Sequence, residues 1–472
     1  MDGLSCRGEA LRQWCTWLAG SRLLNRFGSG EHHTQRIPAF ADQHSRLSMG
    51  KHLLLLVILL SHAGIAGERD SAGVLDLTAE TAFALALKQN PELQQMRARV
   101  EAKSADFWGS FGLPSPVVSY MNEGNLLGGN SSVFFERRWA VSQSLDFPLR
   151  SYFRLSRVAT EREALERKLE SETLKLKARV KKTYTDVLYS LQLMELREEA
   201  LELATSLQDA VTARYEVGEG SELERMEAEI RVAEAENGVT DAERILHKAR
   251  YSLFNLIGLD PEEQEYGIQF PDTLAYIETD FTQDTLLASL EYLPDAVSVR
   301  RAVDAADHGV SEAWSTLLPD FNLSYYRQDH GTGFDSYGYE IGFTIPLWFM
   351  LDQRGKIENS QALRMHASWE ERATVQALKK EVEVAWHGYD ASLQAIRRHE
   401  KVIRVLSTEV KDLSLEAYRL GQIDLLALLY AQQRYLSSRI AYLDALRNYY
   451  HYIIDIERFL RTDLVLQTTT SE

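Results

Sequence analysis

The chain states one pattern twice, 203 residues apart, so any fold it adopts must contain two copies of a single structural unit. Leu87, Pro91, Arg97, Val100 and Ala102 recur as Leu290, Pro294, Arg300, Val303 and Ala305. Tyr215, Gly218, Leu223, Ala228 and Ala242 recur as Tyr418, Gly421, Leu426, Ala431 and Ala445. The register slips only around four short non-helical segments. Leu113-Pro114 and Ser119-Tyr120 answer Leu318-Pro319 and Ser324-Tyr325 at an offset of 205, and Phe147-Pro148-Leu149 answers Ile345-Pro346-Leu347 at 198. A loop of altered length between rigid elements produces such slips. The 472 residues therefore suggest one architecture doubled, not a string of unrelated modules.

Over 78–112, 151–216 and 221–257, and again over 282–316, 352–419 and 424–460, helix formers dominate, with apolar residues at mixed three- and four-residue spacings. A helix of ~65 residues would be about 100 Å long, so these helices must lie side by side as coiled coil. Gly218-Glu-Gly220 and Gly421-Gln422 interrupt the pattern, and a glycine turn there folds each long helix back as an antiparallel hairpin. Tyr215 and Tyr418, each three residues before a tip glycine, are expected to pack the last turn.

The four short segments alternate with period two. Trp139, Val141, Gln143, Leu145 and Phe147 oppose Ala140, Ser142, Ser144 and Asp146; Tyr337, Tyr339, Ile341, Phe343 and Ile345 oppose Gly338, Glu340, Gly342 and Thr344. Asp320–Tyr325 alternates likewise, and Val117–Met121 less clearly. An ordinary soluble sheet with one buried face would show this pattern, and so would a membrane strand with an apolar exterior and a wet interior. Roughly 9–11 residues is the length of a membrane-spanning strand. The absence of any hydrophobic spanning helix, the Gly/Asn-rich connections at 122–132 and 329–336, and prolines 114, 148, 319 and 346 at the strand ends favour the membrane alternative. Only a closed barrel satisfies strand hydrogen bonds in lipid, and four strands cannot close around a lumen. A cyclic homo-oligomer sharing one barrel is then a physical requirement.

Export is also written in the chain. Met49-Gly-Lys-His, the apolar run Leu53–Leu60 and small residues Ala63, Gly64, Ala66 and Gly67 make a secretory signal, expected to be cleaved after Ala66. Residues 1–48 lack helical or strand periodicity and would leave that signal internal, so they are expected to be an extension preceding a true start at Met49. The formal net charge of -17 becomes -20 once residues 1–66 are removed, with no basic block suited to nucleic acid. Both cysteines, Cys6 and Cys15, lie ahead of the signal, so no disulfide framework is available to the remainder. The seven histidines after the signal, including His399 and His451, show no metal-site spacing and are expected on helix surfaces; no nucleophile elbow or His-Glu-x-x-His occurs. The tyrosines 442, 449, 450 and 452 have helical spacing and are expected to pack against a neighbouring helix. Neither catalysis nor a cofactor is expected.

The arrangement resembles the TolC-like outer membrane efflux protein family over residues 75–462. The resemblance rests on Ala84–Leu93, on the Leu-Pro strand entries, on Gln143 with Phe147-Pro148 at a strand exit, and on the two tips, Arg214–Ser221 and Ala417–Ile423, in the same duplicated order. It implies a mostly α fold with a small β part, in which duplicated helical hairpins form a periplasmic α-barrel. Four transmembrane β-strands per protomer would join a 12-stranded barrel shared by a homotrimer. The first unit would span 67–278, with strands at about 116–122 and 138–147 and its tip at 216–221. The second would span 279–462, with strands at about 319–327 and 337–347 and its tip at 419–424, followed by a tail at 463–472.

The same resemblance implies a passive exit duct of a tripartite efflux or type I secretion system in the outer membrane of a Gram-negative bacterium. It would meet outer membrane lipid, a periplasmic adaptor (membrane fusion) protein and an inner-membrane transporter of RND or ABC type. Adaptor contacts are expected at Tyr215, Gly218, Ser221, Tyr418, Gly421 and Ile423, although tight-turn glycines without a partner fit the sequence too. Members of the family carry an aspartate ring past the second tip; here those positions hold Ala427 and Tyr430, and their first-repeat counterparts are Glu224 and Glu227. Threefold symmetry would turn any inward-facing carboxylate among Glu222, Glu224, Glu227 and Asp424 into an acidic pore ring; a merely solvated helix face is the alternative. The acidic chain inclines toward cations or cationic compounds as cargo, with metals, drugs and peptides all carried by such ducts. The rival to a duct is a periplasmic coiled-coil adaptor or structural protein without a membrane barrel.

Overall fold

The computed structural model describes residues 75–124, 135–260, 267–279, 281–331 and 335–466. The expected signal and extension, residues 1–66, lie outside the described residues, as do 467–472 of the tail. Strand β1 (Leu75–Asp76) leads into helix α1 (Ala79–Gln89), which opens on a capping box between Thr78 and Thr81. The continuous helical run expected over 78–112 is divided at Asn90. Pro91 biases the residue before it away from helical geometry. Asn90 then closes α1 and opens α2 (Pro91–Gly109), its side chain accepting from Leu93 N at 3.1 Å and donating to Leu256 O at 2.9 Å. The second half breaks in the same way at Leu293-Pro294, after α5 (Gln283–Ser289) and a 3-10 turn and ahead of α6 (Pro294–Ser315).

Strands β2 (Val117–Glu123) and β3 (Glu136–Leu145) precede α3 (Pro148–Glu216), whose 69 residues extend about 100 Å. The chain reverses into α4 (Glu222–Ile257), ended by Gly258 in the left-handed conformation, φ 77°. A short strand β4 (Ile268–Gln269) pairs in parallel with β1. In the second half, β5 (Asp320–Asp329) and β6 (Asp335–Thr344) precede α7 (Gln353–Arg398). A single π turn, His399–Ile403, separates α7 from α8 (Arg404–Arg419), and α9 (Leu425–Leu460) returns alongside.

Two cores hold the helices. The larger gathers α1, α3, α4, α7 and α9 around Tyr184, Tyr389, Tyr449 and Tyr450. Their hydroxyls are satisfied by the extended segment after β4: Tyr184 donates to Asp272 at 2.7 Å, Tyr449 to Ile277 O at 2.8 Å and Tyr450 to Ala275 O at 2.8 Å. The tyrosine series therefore packs as expected, and the segment 270–279 is clamped across it. A buried ion pair seals the same core: Lys181 Nζ lies 2.8 Å from Glu457 Oε2, with side chains 4% and 6% exposed. Glu457 Oε1 also accepts from the backbone N–H groups of Leu464 and Val465, and Lys181 Nζ donates to Val465 O at 3.0 Å, so the end of the described chain is folded back onto α9 and α3.

His399 departs from expectation. It is buried and stacked on Tyr442 with ring centroids 4.3 Å apart, so it is not a surface histidine. The π turn that begins at His399 rotates its ring toward α9, a displacement that helical spacing alone does not show.

Candidate functional site

The four longer strands form one antiparallel sheet in the order β2-β3-β5-β6. Register decides which side chains share a face. Tyr120 pairs with Trp139, Trp139 with Arg327, and Arg327 with Tyr337; one step along, Val118, Val141, Tyr325 and Tyr339 align. Leu323 with Ile341, and Leu145 with Phe321 and Phe343, continue that face. Every aromatic residue of these strands except Tyr326 stands on it, and Tyr337 and Tyr339 are about four-fifths exposed. The opposite face carries Ser119, Arg138, Ala140, Ser142, Ser324, Asn322, Gly338, Glu340 and Gly342. Ser142 Oγ donates to Ser324 Oγ across it at 3.0 Å. One face is thus mainly aromatic and apolar, with Arg327 among its exceptions, and the other is mainly polar or small, with Val117 and Met121 of β2 as its apolar exceptions; the alternation seen in separate segments is pooled by the pairing.

Strands β2 and β6 are each paired on one side only. An unpaired edge cannot stand in hydrocarbon.

Where the sheet meets the helices, a ladder of charges ties them together. Arg150, Arg154 and Arg157 share one face of α3. Arg150 reaches Asp320 at 2.7 Å, Arg154 reaches Asp146 at 2.6 Å and Glu312 at 3.2 Å, and Arg157 reaches Glu312 at 2.8 Å and Glu161 at 2.9 Å. Lys103 of α2 closes the series on Glu161 at 2.5 Å. The strand exit, the β5 entry and three helices are therefore bound into one block. The arginine spacing is visible in the sequence, but some of the acids come from segments up to 170 residues further along the chain.

The two hairpin tips lie together. Gly218 and Gly421 adopt positive φ, 80° and 70°, and parallel hydrogen bonds close the turns: Glu219 N to Arg214 O at 2.9 Å and Gln422 N to Ala417 O at 2.8 Å. A side chain built at either glycine would meet nothing within 4 Å. Leu207, Val211, Ala228, Tyr418, Leu425, Leu428 and Leu429 form a small core joining both hairpins, with Ile423 packed on it.

The expected contact residues divide accordingly. Tyr418 is 1% exposed and lies under the Arg214 guanidinium, whereas Tyr215 is 41% exposed, so only the second tyrosine packs the last turn. Ser221 caps α4 in a capping box with Glu224, and Asp424 caps α9 by accepting from Ala427 N at 2.8 Å. Glu222 pairs with Arg225 at 2.5 Å, and that hydrogen bond holds its carboxyl below the usual range. Three of the four acidic groups therefore have local partners, while Glu227 is exposed on α4. Four apolar residues outside the expected contact set lie at the surface of the tips. Val217, Leu223, Leu420 and Leu426 are each more than half exposed. Val217 and Leu420 are separated by 203 residues, as are Leu223 and Leu426; the repeat itself was the available signal.

Among the described residues no group of acidic, histidine or cysteine side chains is arranged to hold a metal, and no helix is long and apolar enough to cross a membrane. This sheet on long helical hairpins is the architecture of outer-membrane channels. A membrane protein from Pseudomonas aeruginosa superimposes with a TM-score of 0.71 at 20% identity, covering 82% of this chain and 91% of the other. The outer membrane protein VceC of Vibrio cholerae gives 0.71 at 16% identity, covering 81% and 95%. Residues 83–259 match the family model described as Outer membrane efflux protein. The fusaric acid resistance protein FusA of Burkholderia cepacia is 28% identical over 154 residues, 32% of this chain; the match spans 28% of that relative. The chain thus shares its fold with solved outer membrane proteins, and its first half is similar to the outer membrane efflux protein family.

Proposed function

We propose that this protein is the passive exit duct of a tripartite efflux or type I secretion system, working as a homotrimer. Three copies contribute four strands each to a 12-stranded barrel in the outer membrane, and their helical hairpins continue it as a periplasmic tunnel. The observation that carries this reading is the two-faced sheet with an open edge on either side. Its aromatic face suits lipid, its polar face suits water, and joining β6 of one copy to β2 of the next removes every edge. Energy comes from an inner-membrane transporter of RND or ABC type, reached through a periplasmic adaptor protein that docks at the tips. Val217, Leu223, Leu420 and Leu426 give that adaptor an apolar landing surface around Gly218 and Gly421. The fusaric acid resistance protein among the relatives supports a role in resistance by efflux.

Detergent extraction from isolated outer membranes, followed by native mass spectrometry and planar-bilayer recording, tests the reading. A detergent-dependent trimer that opens stable pores is expected. A freely soluble monomer that leaves bilayers sealed would instead identify a periplasmic coiled-coil protein.

A further inference from the structure

We propose that Gly338, Arg138 and Glu340 fix the bore of the strand channel by holding the Tyr326 ring down against its inner wall. The inference rests on the exit-duct reading, since it requires the polar face of the sheet to line the lumen. Tyr326 is the one aromatic residue of the four described strands on that face, and its cross-strand neighbours are the small residues Ala140 and Gly338. A tyrosine standing perpendicular to the sheet would carry its hydroxyl well away from the next strand. Here a Cβ built at Gly338 would lie 2.5 Å from both Cζ and Oη of Tyr326. The ring has been laid sideways, with its tip resting on the bare backbone of β6.

A strap crosses it. Arg138 belongs to β3, on one side of Tyr326, and Glu340 belongs to β6, on the other. The guanidinium carbon of Arg138 sits 3.9 Å from the centre of the Tyr326 ring, and Nη2 continues to Glu340 at 3.8 Å. Cation–π attraction and the ion pair act in the same direction, pressing the ring onto the wall. Arg138 also offsets the Glu340 charge, so the wall at this level presents no net charge from the pair.

Two separate consequences follow. A side chain at Gly338 must lift the ring, and in a trimer three rings rise at one level and narrow the lumen. Loss of the Arg138 charge leaves three Glu340 carboxylates uncompensated and attracts cations.

The full-length protein in planar bilayers under a KCl gradient reads both. Gly338→Val is expected to lower single-channel conductance, and adding Tyr326→Ala to it is expected to restore conductance to the wild-type value or above. Arg138→Gln is expected to shift the reversal potential toward greater cation selectivity, with each variant running as a trimer on native gels. Wild-type conductance in Gly338→Val, or persistent narrowing after Tyr326 is removed, would overturn the inference while leaving the duct intact, as would an unshifted reversal potential. If the wild-type protein opens no pores, the exit-duct reading itself fails and takes the inference with it.

Discussion

Leu425 and Leu426 are neighbours with opposite fates: the first is buried in the tip core and the second is exposed on the tip. Replacing fully buried Leu428 with Ala should destabilise the tip by about 2–5 kcal/mol, seen as a lower thermal midpoint of the helical signal. Replacing Leu223 and Leu426 with Ser should leave that midpoint within about 0.5 kcal/mol of wild type, because neither contributes to the core. Photo-crosslinking to the periplasmic adaptor from position 217 should fall sharply in the double Ser variant; undiminished crosslinking would show that these side chains are not contacts. Gly421→Val should likewise reduce crosslinking, through strain at positive φ, while trimers persist. Which residues are capped, buried or exposed at the tips was only partly legible in the sequence. The glycine turns and the capping residues have local signatures, whereas the burial of Tyr418 and the exposure of Tyr215 depend on which hairpin packs over the other.

At the level of elements, α3, α4, α7 and α9 were legible because each is long and keeps its apolar spacing over many turns. The proline breaks at residues 91 and 294 are local and could have been drawn. The pairing of β1 with β4 could not, since a two-residue strand has no period to read. The same holds for the clasp that returns the chain end to α3, built from Lys177, Lys181, Glu457 and Asp463. Burial alone would raise the Asp463 carboxyl, but hydrogen bonds and charge from Lys177 and Lys181 outweigh it and leave its pKa below the ordinary value. A carboxyl whose folded pKa is depressed contributes stability above its unfolded pKa, roughly 3.9, and loses it as pH falls through the folded value. Hydrogen-exchange protection at Leu464 and Val465, taken relative to the intrinsic amide rate at each pH, should therefore fall on acidification below about pH 4, and an Asp463→Asn variant should show less of that pH dependence. Lys181→Met, which strands a buried carboxylate, should cost on the order of 3–5 kcal/mol. A smaller loss would mean that the pair is more hydrated than its burial implies.

For the molecule as a whole, the doubling was legible from the first matched residues, and the two-faced sheet followed once the four segments could be placed in register. Period two named the faces of β3, β5 and β6 more clearly than those of β2; only pairing revealed that the aromatic residues of all four strands, Tyr326 excepted, share one side. The ladder from Lys103 to Asp320 belongs to this scale, because it fastens the sheet to α2, α3 and α6. Arg154→Ala should lower the heat needed to dissociate the sheet-bearing trimer in detergent while pore conductance stays unchanged; altered conductance with full heat resistance would contradict a fastening role.

The central joint of the sheet, β3 against β5, links the two halves of a single chain. In the proposed trimer, closing the ring would add a joint of the same kind between β6 and the β2 that follows it, so the wall would become six staves of nearly one shape. Where one molecule ends and the next begins would then have little meaning to the barrel. A predecessor of half this length, meeting itself six times, would have enclosed much the same hole.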